Sequence, residues 1–105
     1  MAEEYLLQHG YQLLHRNWRH SHYEIDLIVV KNEVLHFVEV KLRSSKTFGL
    51  PEQFVKKKKF KSLLRAADEF LFQNQQYRHV QYDILSIIVS VNLAPEFFLI
   101  EDVYL

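Results

Sequence analysis

Two β-rich runs, Glu24–Val30 and Val34–Leu42, are separated only by Lys31-Asn32-Glu33. Runs this close can only form an antiparallel hairpin, because a parallel pair needs a crossover of about a dozen residues or more. Asn32-Glu33 then reads as the two-residue turn, with Lys31 opposite Val34, Asp26 opposite Glu39 and Glu24 opposite Lys41. A slip of one residue would set Asp26 against Val38 and mix charged with apolar positions, so the register is strongly specified. Side chains alternate along a strand. Ile25, Leu27 and Val29 therefore share one face of the first run, and Glu24, Asp26, Ile28 and Val30 the other. In the second run Leu35, Phe37, Glu39 and Lys41 share a face, opposite Val34, His36, Val38, Val40 and Leu42.

The remaining elements arrange themselves around this hairpin. Ala2 to His9 reads as a short helix with Tyr5 and Leu6 inward and Gly10 as its stop. Tyr11 to Trp18 reads as a strand, Asn17 to His22 as a polar loop, and Ser44 to Pro51 as a second loop. From Glu52 to about Asn74, Phe60, Leu63, Leu64, Ala67, Phe70 and Leu71 follow the three-and-four spacing of a helix, and Pro51 suits its entry. Val80 to Val91 is apolar on both faces, as in a central strand, and Phe97 to Ile100 reads as a short last one. The order α-β-β-β-α-β-β predicts a mixed sheet with flanking helices in a single domain, 1–105.

The hairpin places two carboxylates on one face. Directly opposed residues have Cβ atoms about 4.5–5.5 Å apart, so Asp26 and Glu39 would repel, and Ile28 and Phe37 beside them argue for a covered face. A buried unpaired carboxylate costs several kcal/mol or takes up a proton. A divalent cation resolves the conflict, and Mg²⁺ or Mn²⁺ suits one or two carboxylates with the shell completed by water and phosphate oxygens. Lys41 adds a positive charge on the same face. Taken alone, Glu-x-Lys usually marks a solvated strand face; two acids and a lysine between aliphatic runs lift the functional reading, while structural ion pairs produce similar clusters.

Thirteen basic and thirteen acidic residues give a net charge of zero, but they are unevenly placed. Between Lys41 and Arg65 stand nine basic residues and one acid, Glu52. That +8 segment faces −8 in the rest of the chain, enough separation for a local field that attracts phosphates. Arg43, Lys56, Lys57, Lys58, Lys59, Lys61 and Arg65 are its candidate contacts. Four consecutive lysines cover all sides of a helix, so at least one must lie near the buried stripe with its ammonium snorkelling out. His20-Ser21-His22 lacks a third metal ligand and reads as polar surface; His36 is expected to pack against the helix layer. Tyr11, Tyr82, Phe97 and Phe98 read as core, as does Trp18. Without cysteine no disulfide or Cys-based zinc site can form. The acidic start Met1-Ala2-Glu3-Glu4 is unlike a secretory signal, and the longest apolar stretch, Ile84–Val91, is broken by Ser86 and Ser90, so a cytoplasmic protein without membrane partners is expected.

Glu24-Ile25-Asp26-Leu27-Ile28 followed by Phe37-Val38-Glu39-Val40-Lys41 resembles the signature of the YraN-like family of small bacterial proteins. Gly10-Tyr11, Leu14, Arg16-Asn17, Arg19, Phe48-Gly49, Pro51-Glu52, Ala66-Ala67 and Tyr82-Asp83 extend the resemblance over nearly the whole chain. It implies a restriction-endonuclease-like α/β fold of the PD-(D/E)XK nuclease superfamily, similar to archaeal Holliday-junction resolvases. It also implies Mg²⁺ or Mn²⁺ held by Asp26 and Glu39, an attacking water oriented by Lys41, and Glu24 within the motif. The family's early Gly-Glu pair would align just before Met1, so the chain looks short at its N-terminus, with Glu3 a partial substitute, and Leu42 stands where relatives often have Thr. The expectation is a metal-dependent endonuclease acting on nucleic acid, DNA in the first instance, with branched DNA as a candidate substrate and a homodimer allowed. The alternatives are a non-catalytic nucleic-acid-binding module with a degenerate site, and a protein-interaction domain.

Overall fold

A computed structural model of the chain describes residues 1–44 and 57–103, the side chains of Lys57 and Lys58 excepted. The elements are α1 (Ala2–Gln8), β1 (Gln12–His20), β2 (Tyr23–Lys31), β3 (Val34–Arg43), α2 (Lys57–Gln73), β4 (Val80–Ile88) and β5 (Glu96–Ile100). They reproduce the expected order as a five-stranded mixed sheet, β1-β2-β3-β4-β5. Every neighbouring pair is antiparallel except β3 and β4, which run parallel across the connection that contains α2. The helix entry expected at Pro51, most of the preceding loop, and Lys56 lie outside the described residues. No helix among the described residues is long and apolar enough to cross a membrane.

The two faces of the sheet carry separate apolar layers. Ile25, Ile28, Leu35, Phe37 and Ile84 pack with Phe60, Leu63, Ala66, Ala67 and Phe70 of α2. Leu27, Val29, Val38, Leu85 and Ile87 pack with Leu6 of α1 and with Tyr11. Ala66 joins the buried stripe of α2, whereas Leu64 and Leu71 are only half-buried. Helix α1 ends in a Schellman arrangement: Tyr11 N–H donates to the Leu6 carbonyl and Gly10 N–H to that of Leu7. Gly10 takes φ +88°, a value that favours glycine.

The hairpin register is the expected one from Lys31↔Val34 to Leu27↔Val38. Asn32 and Glu33 both have positive φ (51° and 67°), as the turn type that matches strand twist requires. Two expectations are corrected at the other end. First, strand β1 continues through His20, so Asn17–His20 is not loop: its backbone remains paired with β2 up to the turn at Ser21-His22. Second, alternation on β2 is not strict. Ile25 packs in the α2 layer although Leu27 packs in the α1 layer, and the break falls at Asp26. The same row of the sheet breaks in β1, where Asn17 has φ +51°. Arg16 therefore turns to Glu3 of α1, whereas Trp18 packs edge-on against Phe70 of α2. Strand β4 stops at Ile88 rather than Val91, and Phe98 is exposed rather than core.

Candidate metal and phosphate site

Strands β2 and β3 cease to pair just where the acids stand. The ladder ends at Leu27↔Val38, and beyond it Val40 N–H donates to Asp26 Oδ2 at 2.9 Å. Asp26 thus replaces an interstrand bond with a side-chain bond and sits inside a fork between the strands. The expected direct opposition of Asp26 to Glu39 and of Glu24 to Lys41 gives way to this fork. Glu24 pairs instead with Arg19 of β1, whose Nε donates to Glu24 Oε2.

Glu39 is buried at 3% exposure. It lies on the face of β3 that carries Phe37, and the regular β3–β4 register to Arg43↔Ile88 sets Lys41, half-buried, and Arg43 on that same face. Burial pushes the Glu39 carboxyl above the ordinary carboxylate range. The Lys59 ammonium pulls it back, and the charge and hydrogen bond of Asp26 raise it further. The two carboxylates are therefore near enough to act on one another, through a fork and not as the directly opposed ladder pair expected. A buried carboxylate beside a second one, both hard oxygen donors, fits a divalent cation of the Mg²⁺ or Mn²⁺ class.

On the α1 side the fork opens into a cleft of about 330 Å³ lined by Met1, Glu3, Arg16, Asn17, Asp26 and Val40, among others. Glu3 reaches this cleft but is held by Arg16, which donates through Nε at 3.1 Å and Nη2 at 2.9 Å. That hydrogen bonding keeps the Glu3 carboxyl below its ordinary value.

Of the phosphate-contact candidates, Lys61 and Arg65 are exposed on α2 and Arg43 is half-buried at the end of β3. Lys59 departs from expectation: its ammonium does not snorkel into water but pairs with Glu39. Four lysines in a row carry no sign of which one turns inward, so this contact had no sequence signal.

A second polar cluster was missed altogether. Asp83, fully buried on β4, accepts from His36 Nδ1 at 2.7 Å, from Gln81 Nε2 at 3.0 Å and from the Asp102 N–H at 3.0 Å. His36 therefore belongs to this network and stands edge-on to Tyr11, and is not simply packed against a helix layer. Donor atoms of His36, Asp83 and Glu101 lie within 4.8 Å of one another, so the cluster could hold a metal ion. The available signal was an acid, Asp83, within an otherwise apolar strand.

Residues 1–87 match the family described as Uncharacterised protein family UPF0102. The chain belongs to the UPF0102 family. A UPF0102 protein of Bacteroides thetaiotaomicron is 42% identical over 87 residues, covering 83% of this chain and 72% of that protein. One from Flavobacterium johnsoniae is 35% identical over 101 residues, covering 96% and 82% respectively. One from Chloroherpeton thalassium is 37% identical over 112 residues, covering 99% and 87%. The match to UPF0102 takes in α1, the fork, α2 and all but the last residue of β4.

Proposed function

We propose that this UPF0102 protein is a metal-dependent endonuclease of the PD-(D/E)XK type, hydrolysing phosphodiester bonds in DNA. The observation that carries this reading is the fork: Asp26 and the buried Glu39 brought together, with Lys41 on the Glu39 face of β3. Asp26 and Glu39 would hold the cation, which supplies charge neutralisation and polarises the scissile phosphate. Lys41 orients the attacking water and offsets negative charge growing on the phosphate, and Glu24 borders the site. Lys61 and Arg65, with Arg43 and the neighbouring Lys56, Lys57 and Lys58, contact the phosphate backbone without reading sequence. Arg16 and Glu3 line the cleft beside Asp26.

Calorimetric Mn²⁺ titration and cleavage of branched and linear DNA test the proposal. Asp26→Asn should weaken Mn²⁺ binding about tenfold or more, while Lys41→Ala should spare metal binding and abolish cleavage. Changing Lys61 and Arg65 to Gln should flatten the salt dependence of DNA binding by about 0.9 in log–log slope for each phosphate no longer neutralised. A wild-type protein that binds DNA but cleaves nothing with either metal would be a binding module. An unchanged Mn²⁺ affinity in Asp26→Asn would remove the metal centre from this site.

A further inference from the structure

Lys59 presents a physical oddity. Its side chain is 57% exposed, and a flexible ammonium so placed is ordinarily best hydrated pointing away from the protein. It turns inward because Glu39 is almost buried and Asp26 and Glu24 add their charges nearby. Phe60 and Leu63, its neighbours on the helix, are buried in the α2 layer, so the helix is anchored while most of the lysine side chain stands in solvent. Glu24 has Arg19 as its own partner, so among the described residues Lys59 is the cation that faces Glu39 and, beside it, Asp26.

We propose that Lys59 is the resident counter-ion of the fork: its ammonium occupies the place at Glu39 that a divalent cation takes, and cation entry displaces it toward Lys61 and Arg65 on the exposed side of α2. This rests on the metal centre proposed above and adds how that centre is guarded. An ammonium and a divalent cation repel at contact distance, so they exclude one another at a single carboxylate. Displacement costs little conformationally, since only one side chain moves. It also couples the two ligands of the site. The metal releases a cation to the phosphate-binding face, so metal and nucleic acid each strengthen the binding of the other, as linkage requires.

The test compares wild type, Lys59→Met and Lys59→Gln by Mn²⁺ calorimetry. In parallel, the rate at which an acetylating ester modifies Lys59 in wild type is read by peptide mass spectrometry, with Lys61 as internal control. Both variants should bind Mn²⁺ roughly two- to fivefold more tightly, the range expected for release of one partly exposed ion pair. Lys59 should be modified several-fold faster with saturating Mn²⁺, and Lys61 at an unchanged rate. Equal Mn²⁺ affinity in all three proteins, or weaker binding in the variants, would overturn the counter-ion role while leaving the metal centre standing. So would a Lys59 modification rate insensitive to Mn²⁺. Failure of all three proteins to bind Mn²⁺ would instead remove the metal centre, and the guarding role with it.

Discussion

Two acids are buried in this sheet, and they are treated in opposite ways. Asp83 is enclosed by three donors from β3, β4 and the segment after β5, one of them a backbone N–H. Among the described residues Glu39 is paired with the long-stemmed Lys59 and has, beside it, a second acid. A fully bonded carboxylate fixes neighbouring strands, and a cation at the His36, Asp83 and Glu101 cluster would share Asp83 with those donors. A carboxylate with a like-charged neighbour and a partly exposed ammonium beside it is the kind the proposed metal centre requires. Burial is common to the two acids, and the partner set is what sets them apart.

The contrast between the two acids is broken most directly at Asp83. Asp83→Ala would leave His36, Gln81 and the Asp102 N–H facing a void, and should destabilise the fold by about 3–5 kcal/mol in chemical denaturation. If the loss were under about 1 kcal/mol, the network would not be the structural member of the pair.

A smaller effect is expected from pH at Glu39. Its folded carboxyl is raised, chiefly by burial, so the folded chain holds the proton more tightly than the unfolded one. The stability contributed by this group is complete below the unfolded value, about 4.3, and is lost as pH rises through the higher folded value. In chelator, wild type should lose stability relative to Glu39→Gln as pH rises above that unfolded value, as followed by thermal unfolding. A difference between the two proteins that did not vary with pH would mean that Lys59 fully compensates the buried charge.

The smallest change should come from Asp26→Asn without metal. Asn keeps an oxygen to accept from Val40 N–H and removes the repulsion with Glu39. The metal-free fold should therefore stay within about 0.5 kcal/mol of wild type, or gain slightly, in denaturant titrations. A loss of about 2 kcal/mol, the scale of a buried hydrogen bond left unmade, would make Asp26 a strand clamp first and a ligand second.

What the sequence discloses here follows from range. The hairpin register was legible because the turn Asn32-Glu33 and the period of two are local, and so was the apolar stripe of α2 from Phe60 to Phe70. The face switch at Asn17 and Asp26 was not, because it needs a positive φ at a residue other than glycine in one strand and a matching break in its neighbour. The Lys59–Glu39 pair depends on how α2 docks, and the His36–Asp83 pair spans 47 residues of sequence; neither leaves a periodic trace. The extension of β1 through polar Arg19 and His20 shows main-chain pairing overriding side-chain character at a sheet edge.

The parallel join of β3 to β4 has a consequence in time. β1, β2 and β3 form a meander of short-range pairings, whereas β4 can add only after the whole α2 connection has been gathered in, and such closures come late. Asp26 and Glu39 can thus approach each other early, while Lys59 reaches them only once the crossover has docked. Were the fork the metal centre proposed above, a nascent chain halted before α2 would present its two acids without Lys59 and would capture divalent ions more readily than the finished protein.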